Sequence, residues 1–374
     1  MDYIVSASLF SPLYQLFGWI IRQLYLLLGN YGLAIVFFTL IVRCLFLPLM
    51  VKSNKSMLAN QALQPQINEL QRIYGKNREA MATAQMELYR ENGVSMAGGV
   101  LPSLIQLILI WPMYRVVSAP LTYIMNVPTE NLQKILDHLK SANILSIAGR
   151  PEQVNLPILQ SLSQYPQALA HAVNEGLIKS SQMIDINFLG LNLGLVPTLK
   201  PSLLFGQERH IYLPLLIIPI LTLITAYIPQ WLMTRTNPVL MMNREKNKLA
   251  KTNPARKAQG HENSQMEAMQ KSMKFMPLLS LFFSFTMPAG MGLYIIIGSL
   301  AYIASSVISY YIHNKPFADL LLAQERGELS QAQVEAINAD LSPRERRKIE
   351  KSKLRAERMR EMQAQMAEQR SRKK

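Results

Sequence analysis

The 374-residue sequence holds one cysteine, Cys44, and only 17% charged residues, against about a quarter in an ordinary soluble domain. A lone cysteine excludes an internal disulfide framework and a zinc site built from thiolates. Histidine is scarce as well: the five, at 138, 171, 210, 261 and 313, fall outside or at the ends of the long apolar runs. Within those runs there is no Asp, Glu or His, so the groups that carry protons or hold ions inside transporters are missing. An intramembrane Ser/His dyad would lack its base. No GxxxxGK[ST] loop is present, which leaves nucleotide binding without its phosphate cradle. No catalytic residue, cofactor site or metal site is assigned.

What the chain does have is a 49% apolar content gathered into long uncharged stretches, which implies two solvents, lipid and water. The first span is 29–51, with Arg43 as its only charge, and it ends at Lys52 and Lys55. The second, 100–123, contains Arg115 close enough to its end to reach headgroups. The third, 211–233, is uncharged. Phe275–Ile312 is 38 uncharged residues, roughly 57 Å as one straight helix and almost twice a bilayer core. It must fold back, and Met287-Pro288-Ala289-Gly290 is the strong breaker. Two further spans follow, a short one at 275–287 and a full one at 289–312.

Charge orients these spans. Segments 52–99, 234–274 and 313–374 hold 6, 9 and 15 Lys/Arg against 4, 3 and 10 Asp/Glu, whereas 124–210 holds six of each. Basic segments stay in the cytoplasm, which puts the amino terminus outside, the carboxyl terminus inside and 124–210 outside. The expected fold is an all-α polytopic membrane protein with five transmembrane helices. Residues 1–28 lack the basic start of a secretory signal. They are expected to be retained as an extracytoplasmic interfacial helix, with Trp19 and Tyr25 near the headgroups.

In 52–99, Leu63, Ile67, Leu70 and Tyr74 recur at helical spacing, Gly75 breaks the run, and Met81, Ala84 and Leu88 restart it. This predicts a cytoplasmic helical hairpin whose narrow apolar stripe is the seam between its helices. In the tail, Ser342-Pro343-Arg344-Glu345 combines a capping serine, a first-turn proline and a capping-box glutamate, predicting a basic helix from about 343 to 370. Residues 343–374 carry 13 Lys/Arg against five acids, suited to anionic lipid headgroups or RNA phosphates. The 234–274 loop is basic, and 124–210 reads as weakly helical and amphipathic, without an assigned function.

Arg43 is the sharpest single residue. It lies nine residues from Lys52, about 13 Å along a helix, too deep for easy snorkelling. A guanidinium at such depth costs about 2.5–3.5 kcal/mol on insertion scales, and no span supplies a carboxylate. Water is the expected solvent, in a cavity lined by Arg43 and by some of Thr39, Gln106, Thr222, Thr225, Gln230, Ser280 and Ser284. Taken singly, each Ser or Thr is better explained by a bond to its own helix than by a place in the cavity. Such a wet, positive cavity attracts an acidic residue and releases it again. Small-anion conduction, with Arg43 as a selectivity charge, is the alternative from a different class.

Several ordered stretches resemble the YidC membrane-protein insertase family and its organelle relatives. They are GNYGLAIVFFTLIVRCLFLPL at 29–49, ALQPQINELQRIYG at 62–75, ELYRENGVSMAGGVLPSLIQ at 87–106, FLGLNLG at 188–194, MKFMP at 273–277 and PAGMGLY at 288–294. The resemblance implies a five-helix core with a hydrophilic groove open to the cytoplasm and to lipid and closed toward the outside. It implies that Arg43 receives acidic or polar segments of nascent membrane-protein clients and that the hairpin recruits them. It also implies that the basic tail approaches ribosomes, that a Sec translocon can cooperate, and that DNA is no partner. The sequence departs from relatives at Leu293-Tyr294-Ile295, where they commonly have Leu-Tyr-Trp, and at Gly298-Ser299, where a polar pair often stands. Pro229 leaves Gln230 only approximately aligned with the family's glutamine, and 124–186 is longer than relatives need. A lipobox cysteine and the large periplasmic domain of Gram-negative members are absent. A non-catalytic, multi-pass protein of a bacterial plasma membrane of Gram-positive-like lineage is expected.

Overall fold

In the computed structural model, residues 2–74, 77–91, 101–236, 275 and 277–311 are described. The expected basic loop at 234–274 and the carboxyl-terminal helix therefore lie almost wholly outside the described residues. The chain divides into two compact units, one of residues 1–48, 103–233 and 265–306, the other of 49–102, 234–264 and 307–374.

The elements follow one another as α1 (Asp2–Leu28), α2 (Tyr31–Ala62), α3 (Gln64–Tyr74), α4 (Arg78–Glu91), α5 (Leu101–Ser118), α6 (Pro120–Tyr123), α7 (Thr129–Ser141), α8 (Asn155–Gln164) and α9 (Pro166–Asn174). After these come strands β1 (Asn187–Phe188) and β2 (Leu191–Asn192), then α10 (Pro201–Leu204), α11 (Arg209–Leu215) and α12 (Ile217–Thr236). Helix α13 (Pro277–Thr286) and helix α14 (Ala289–Ser309) complete the described chain. Among the described residues, three stretches are long and apolar enough to cross a membrane: Tyr31–Met50, Arg209–Leu232 and Ala289–Ile308. Two shorter apolar helices, Ile108–Ser118 and Pro277–Thr286, accompany them. The chain is thus mostly helical, and its spans carry their large side chains outward: Phe37, Ile41, Leu45, Trp111, Ile220, Ile224 and Phe282 are all exposed.

Local chemistry sets the breaks between elements. Gly29 has φ +65° and its N–H bonds to the Tyr25 carbonyl at 2.8 Å, closing α1 in the left-handed conformation that glycine adopts without cost. Asn30 then caps α2, its Oδ1 accepting the Leu33 N–H at 3.0 Å. The apolar run 275–312 is interrupted at Met287 and Pro288, after which α14 starts at Ala289. Prolines at 214, 219 and 229 lie in the α11–α12 region, and the helix is interrupted at Leu216.

In the second unit, α3 and α4 pack on one another around Leu63, Ile67 and Leu88, with Leu70 and Tyr89 against them. Tyr74, on the expected seam, is exposed instead. It is the last residue of its helix.

Residues 124–200 in the first unit form more than weak amphipathic helices. On α7, Leu132, Ile135, Leu136 and Leu139 fall on one face and are all buried. They meet Ile158, Leu159 and Leu162 of α8 and Ala168 and Ala172 of α9 in a continuous apolar core. The strands form a two-stranded antiparallel hairpin pairing Asn187 with Asn192 and Phe188 with Leu191, a small departure from an all-α fold.

Asn155 joins this core to α6. It is fully buried. Its Oδ1 accepts the N–H groups of Leu121 (2.8 Å) and Thr122 (3.3 Å), and its Nδ2 donates to Thr122 Oγ1 (2.9 Å) and to the Pro151 carbonyl (3.1 Å). Those two N–H groups belong to the first turn of α6 and have no helical partner of their own. Asn155→Ala leaves them buried and unpaired, which should lower stability by about 2–4 kcal/mol. Thermal unfolding of the purified chain in detergent, against wild type, measures it.

Candidate functional site

The site is assembled by register. At one end of the first unit, the β1–β2 hairpin sits on the starts of three helices. The Phe188 ring occupies the space beside Gly32, in the first turn of α2, where a Cβ would overlap it. Strand β2 packs on α11. The segment just after β2 accepts the leading N–H groups of α14: Ala289 N–H bonds to the Leu195 carbonyl and Gly290 N–H to the Leu193 carbonyl, each at 2.8 Å. Carbonyls supplied to a helix amino terminus satisfy donors that would otherwise be orphaned. The spans on α2, α11–α12 and α14 therefore begin together at the hairpin.

From that shared start, α14 runs alongside α2. A Cβ at Gly290 would lie 3.5 Å from Ile35 Cδ1, and one at Gly298 would lie 2.6 Å from Arg43 Nη2 and 3.3 Å from its Cζ and Nε. Both pairs are separated by eight residues, about 12 Å on each helix, so the two helices are parallel and in step. Gly290, Tyr294, Gly298 and Tyr302 recur every four residues along α14 and form one ridge. Tyr294 and Tyr302 flank Gly298 and are the phenols whose electrostatic interaction reaches Arg43. The guanidinium thus lies over a glycine between two tyrosines, partly buried. No hydrogen bond or ion pair holds it among the described residues.

The polar residues expected beside Arg43 are distributed as follows. Thr39, one turn earlier on α2, is fully buried and donates to the Ile35 carbonyl at 2.6 Å. Thr222 donates to the Ile218 carbonyl at 2.8 Å and Thr225 to the Leu221 carbonyl at 2.7 Å. All three hydroxyls are therefore bonded to their own helices. Ser284 is different: at 2% exposure its Oγ has no partner, and a Cβ at Gly292 would lie 3.6 Å from it. Gln230 also has a buried, unpartnered Oε1. Ser280 is partly buried on α13. The side chain of Gln106 lies outside the described residues. The contacts join Arg43 to α14, and Ser284 and Ile218 to α14 at Gly292.

Tyr294, Gly298 and Tyr302 are the site residues that reasoning from the sequence missed. Their signal was available as a Gly-Tyr-Gly-Tyr row at four-residue spacing. It became meaningful only when that row faced an arginine. Among the described residues no three His, Cys, Asp or Glu side chains converge as a metal site.

The glycines generate a contrast. A methyl at 298 meets the movable end of an arginine, whereas one at 292 overlaps Cγ2 of Ile218, a branched and buried side chain. Gly292→Ala should destabilise by about 1–3 kcal/mol through overpacking, and Gly298→Ala by clearly less, as the guanidinium moves aside. Paired thermal unfolding in detergent checks the order.

The profile of one protein family, described as 60Kd inner membrane protein, matches residues 23–316. Among curated proteins, the chain is 38% identical over 112 residues to a membrane protein insertase YidC of Geobacter sp. (strain M21), covering 30% of this chain and 21% of that one. It is 37% identical over 115 residues to one from Citrifermentans bemidjiense, covering 31% and 21%. It is 38% identical over 102 residues to one from Francisella tularensis subsp. novicida (strain U112), covering 27% and 18%. The matched segment spans about a fifth of the length of these relatives.

Proposed function

The chain belongs to the 60Kd inner membrane protein family, that of the YidC insertases, and from that premise we propose that it inserts integral membrane proteins and assists their folding without covalent chemistry. The observation that carries this reading is the Arg43 guanidinium, held in mid-span over Gly298 with no counter-ion among the described residues. A cation so placed requires water or a transient anion. An acidic residue of a client supplies the anion and leaves again when the client moves into lipid.

Five helices cross the bacterial plasma membrane in this reading, at 29–51, 100–123, 211–233, 275–287 and 289–312, with the amino terminus outside and the carboxyl terminus inside. The common start of α2, α11–α12 and α14 at the hairpin supports this, because first, third and fifth spans must run the same way. Arg43 lines a groove open to the cytoplasm and to lipid, with Gln106, Gln230, Ser280 and Ser284 as its polar wall. Thr39, Thr222 and Thr225 stand behind it with their hydroxyls bonded to their own helices. The unpartnered oxygens of Ser284 and Gln230 support hydration there, since a buried acceptor without a partner costs about 1–3 kcal/mol and a groove water or a client amide removes that cost. Helix α13 has ten described residues, Pro277–Thr286, and the proposed span 275–287 is thirteen residues, about 20 Å, short of a bilayer core. A thinned or wet membrane beside it shortens the path for polar client segments.

The cytoplasmic hairpin 52–99 captures nascent clients, the basic tail meets ribosomes or anionic lipid, and the Sec translocon cooperates for larger clients. The purified protein in liposomes should protect a small single-span client from external protease where empty vesicles do not. Arg43→Ala should slow insertion several-fold for clients with acidic translocated segments and much less for neutral ones. Equal rates for both variants with both clients remove the electrostatic step, and no protection above empty vesicles removes autonomous insertion. Deleting 343–374 should reduce ribosome co-sedimentation at low salt while purified-client insertion persists. Undiminished co-sedimentation removes the tail as a ribosome contact.

A further inference from the structure

The outer end of the first unit carries apolar side chains that no protein group covers. Leu189, at the tip of the β1–β2 hairpin, is 85% exposed, Phe205 78% and Leu199 64%. Isolated exposed leucines are unremarkable on a soluble surface, so position and conformation decide what these three mean.

Leu189 is in the wrong place for a residue facing water. Leu189 and Gly190 are the two central residues of the hairpin turn, with φ +51° and +79°. Positive φ at both positions is the requirement of a type I′ turn, which favours Asn or Asp followed by Gly. A leucine there bears a backbone penalty from its Cβ and a solvent penalty from its side chain, and Asn would relieve both. The residue is accounted for if its side chain is buried in something apolar outside the protein.

Height along the bundle identifies that surrounding. Phe188, next to Leu189, packs beside Gly32, the second residue of the Tyr31–Met50 span. Strand β2 rests on α11, the start of the Arg209–Leu232 span, and α11 in turn packs on α10. Phe205 closes α10 and stands four residues before Arg209. Leu26 and Leu27, also exposed, precede Tyr31 by a similar interval. Leu26, Leu27 and Phe205 stand four or five residues before a span begins, Phe188 lies beside the first turn of one, and Leu199 stands two residues before α10; a span start is where headgroups meet acyl chains. Leu213, Ile217 and Ile220 of the Arg209–Leu232 span are exposed as well. Lys200, next in sequence to Leu199, and Arg209, at the start of that span, are exposed and are suited to headgroup phosphates.

We propose that the segment from Phe188 to Phe205 is a membrane-dipping anchor: Leu189, Leu199 and Phe205 insert into the acyl boundary of the outer leaflet and seat the hairpin against the bilayer. The occupant is lipid, and the anchor holds the hairpin and the segment just after it, whose Leu193 and Leu195 carbonyls position α14. It rests on the spanning of the three helices and not on insertase activity, so failure of either leaves the other standing.

The test uses the full chain in nanodiscs, in a Cys44→Ser background, with an environment-sensitive fluorophore on Leu189→Cys or Phe205→Cys. Ile220→Cys is the lipid-embedded reference and Lys134→Cys, exposed on α7, the aqueous one. Quenching by brominated phosphatidylcholine should approach that at position 220, and quenching by iodide should fall several-fold below that at 134. Labels at 189 and 205 that behave like the one at 134 overturn the proposal. Shielding from iodide without bromolipid quenching also overturns it and assigns the cover to protein, such as a second copy. Leu189→Asn guards against disturbance by the label: it should preserve helix content and unfolding in detergent while weakening bromolipid quenching at 205. Unchanged quenching at 205 in that variant overturns a shared anchor.

Discussion

Two hydrogen bonds, from the N–H groups of Ala289 and Gly290 to the carbonyls of Leu195 and Leu193, govern the rest of the arrangement. A helix in lipid cannot leave its first donors unpaired, so α14 starts wherever acceptors are offered. The strand hairpin and the residues just after it offer them at the level of Gly32 on α2. With both helices rising equally per residue, that common origin brings position 298 opposite position 43. A shift of one residue in this register would set a side chain against the guanidinium in place of a glycine.

The consequence for chemistry is a cation that is placed but not neutralised. Inside lipid an arginine ordinarily finds a carboxylate, a carbonyl or a route to the headgroups. Arg43 instead lies on the glycine of a Gly-Tyr-Gly-Tyr ridge, in a bundle whose spans hold no acid. The hydroxyls of Thr39, Thr222 and Thr225 are turned back to their own helices and give it nothing, whereas the oxygens of Ser284 and Gln230 remain without partners. An unmet charge with unmet acceptors in the same bundle is costly for a protein at rest. In the proposed insertase it suits a surface that binds polar segments briefly, because each passing group restores what the fold withholds.

The core built on α7, α8 and α9 bears on this indirectly. Asn155 ties α8 to α6 through three hydrogen bonds, and Gln182 donates to the Met125 carbonyl at 3.0 Å nearby. Residues 124–200 are thus joined to one another by an apolar core and by buried hydrogen bonds, and the hairpin belongs to the same segment.

Much of this protein was legible without coordinates. Apolar run length pointed to the three helices that are long and apolar enough to cross a membrane among the described residues, because lipid demands about twenty uncharged residues per crossing. The 275–312 run was too long for one helix, and its helix is interrupted at Met287 and Pro288. Arg43 stood out because a guanidinium in lipid is expensive wherever it points. Pairings between distant segments were hidden, since they follow from packing and leave no periodic trace. That the segment after a two-residue strand pair would cap α14, that Asn155 would clamp α6, and that Gly298 would receive Arg43 depended on which faces met. Composition and spacing determined that the chain enters lipid and carries a charge there. Only the tertiary structure decided what the charge lies against, because register is set by hydrogen bonds between segments far apart in the chain.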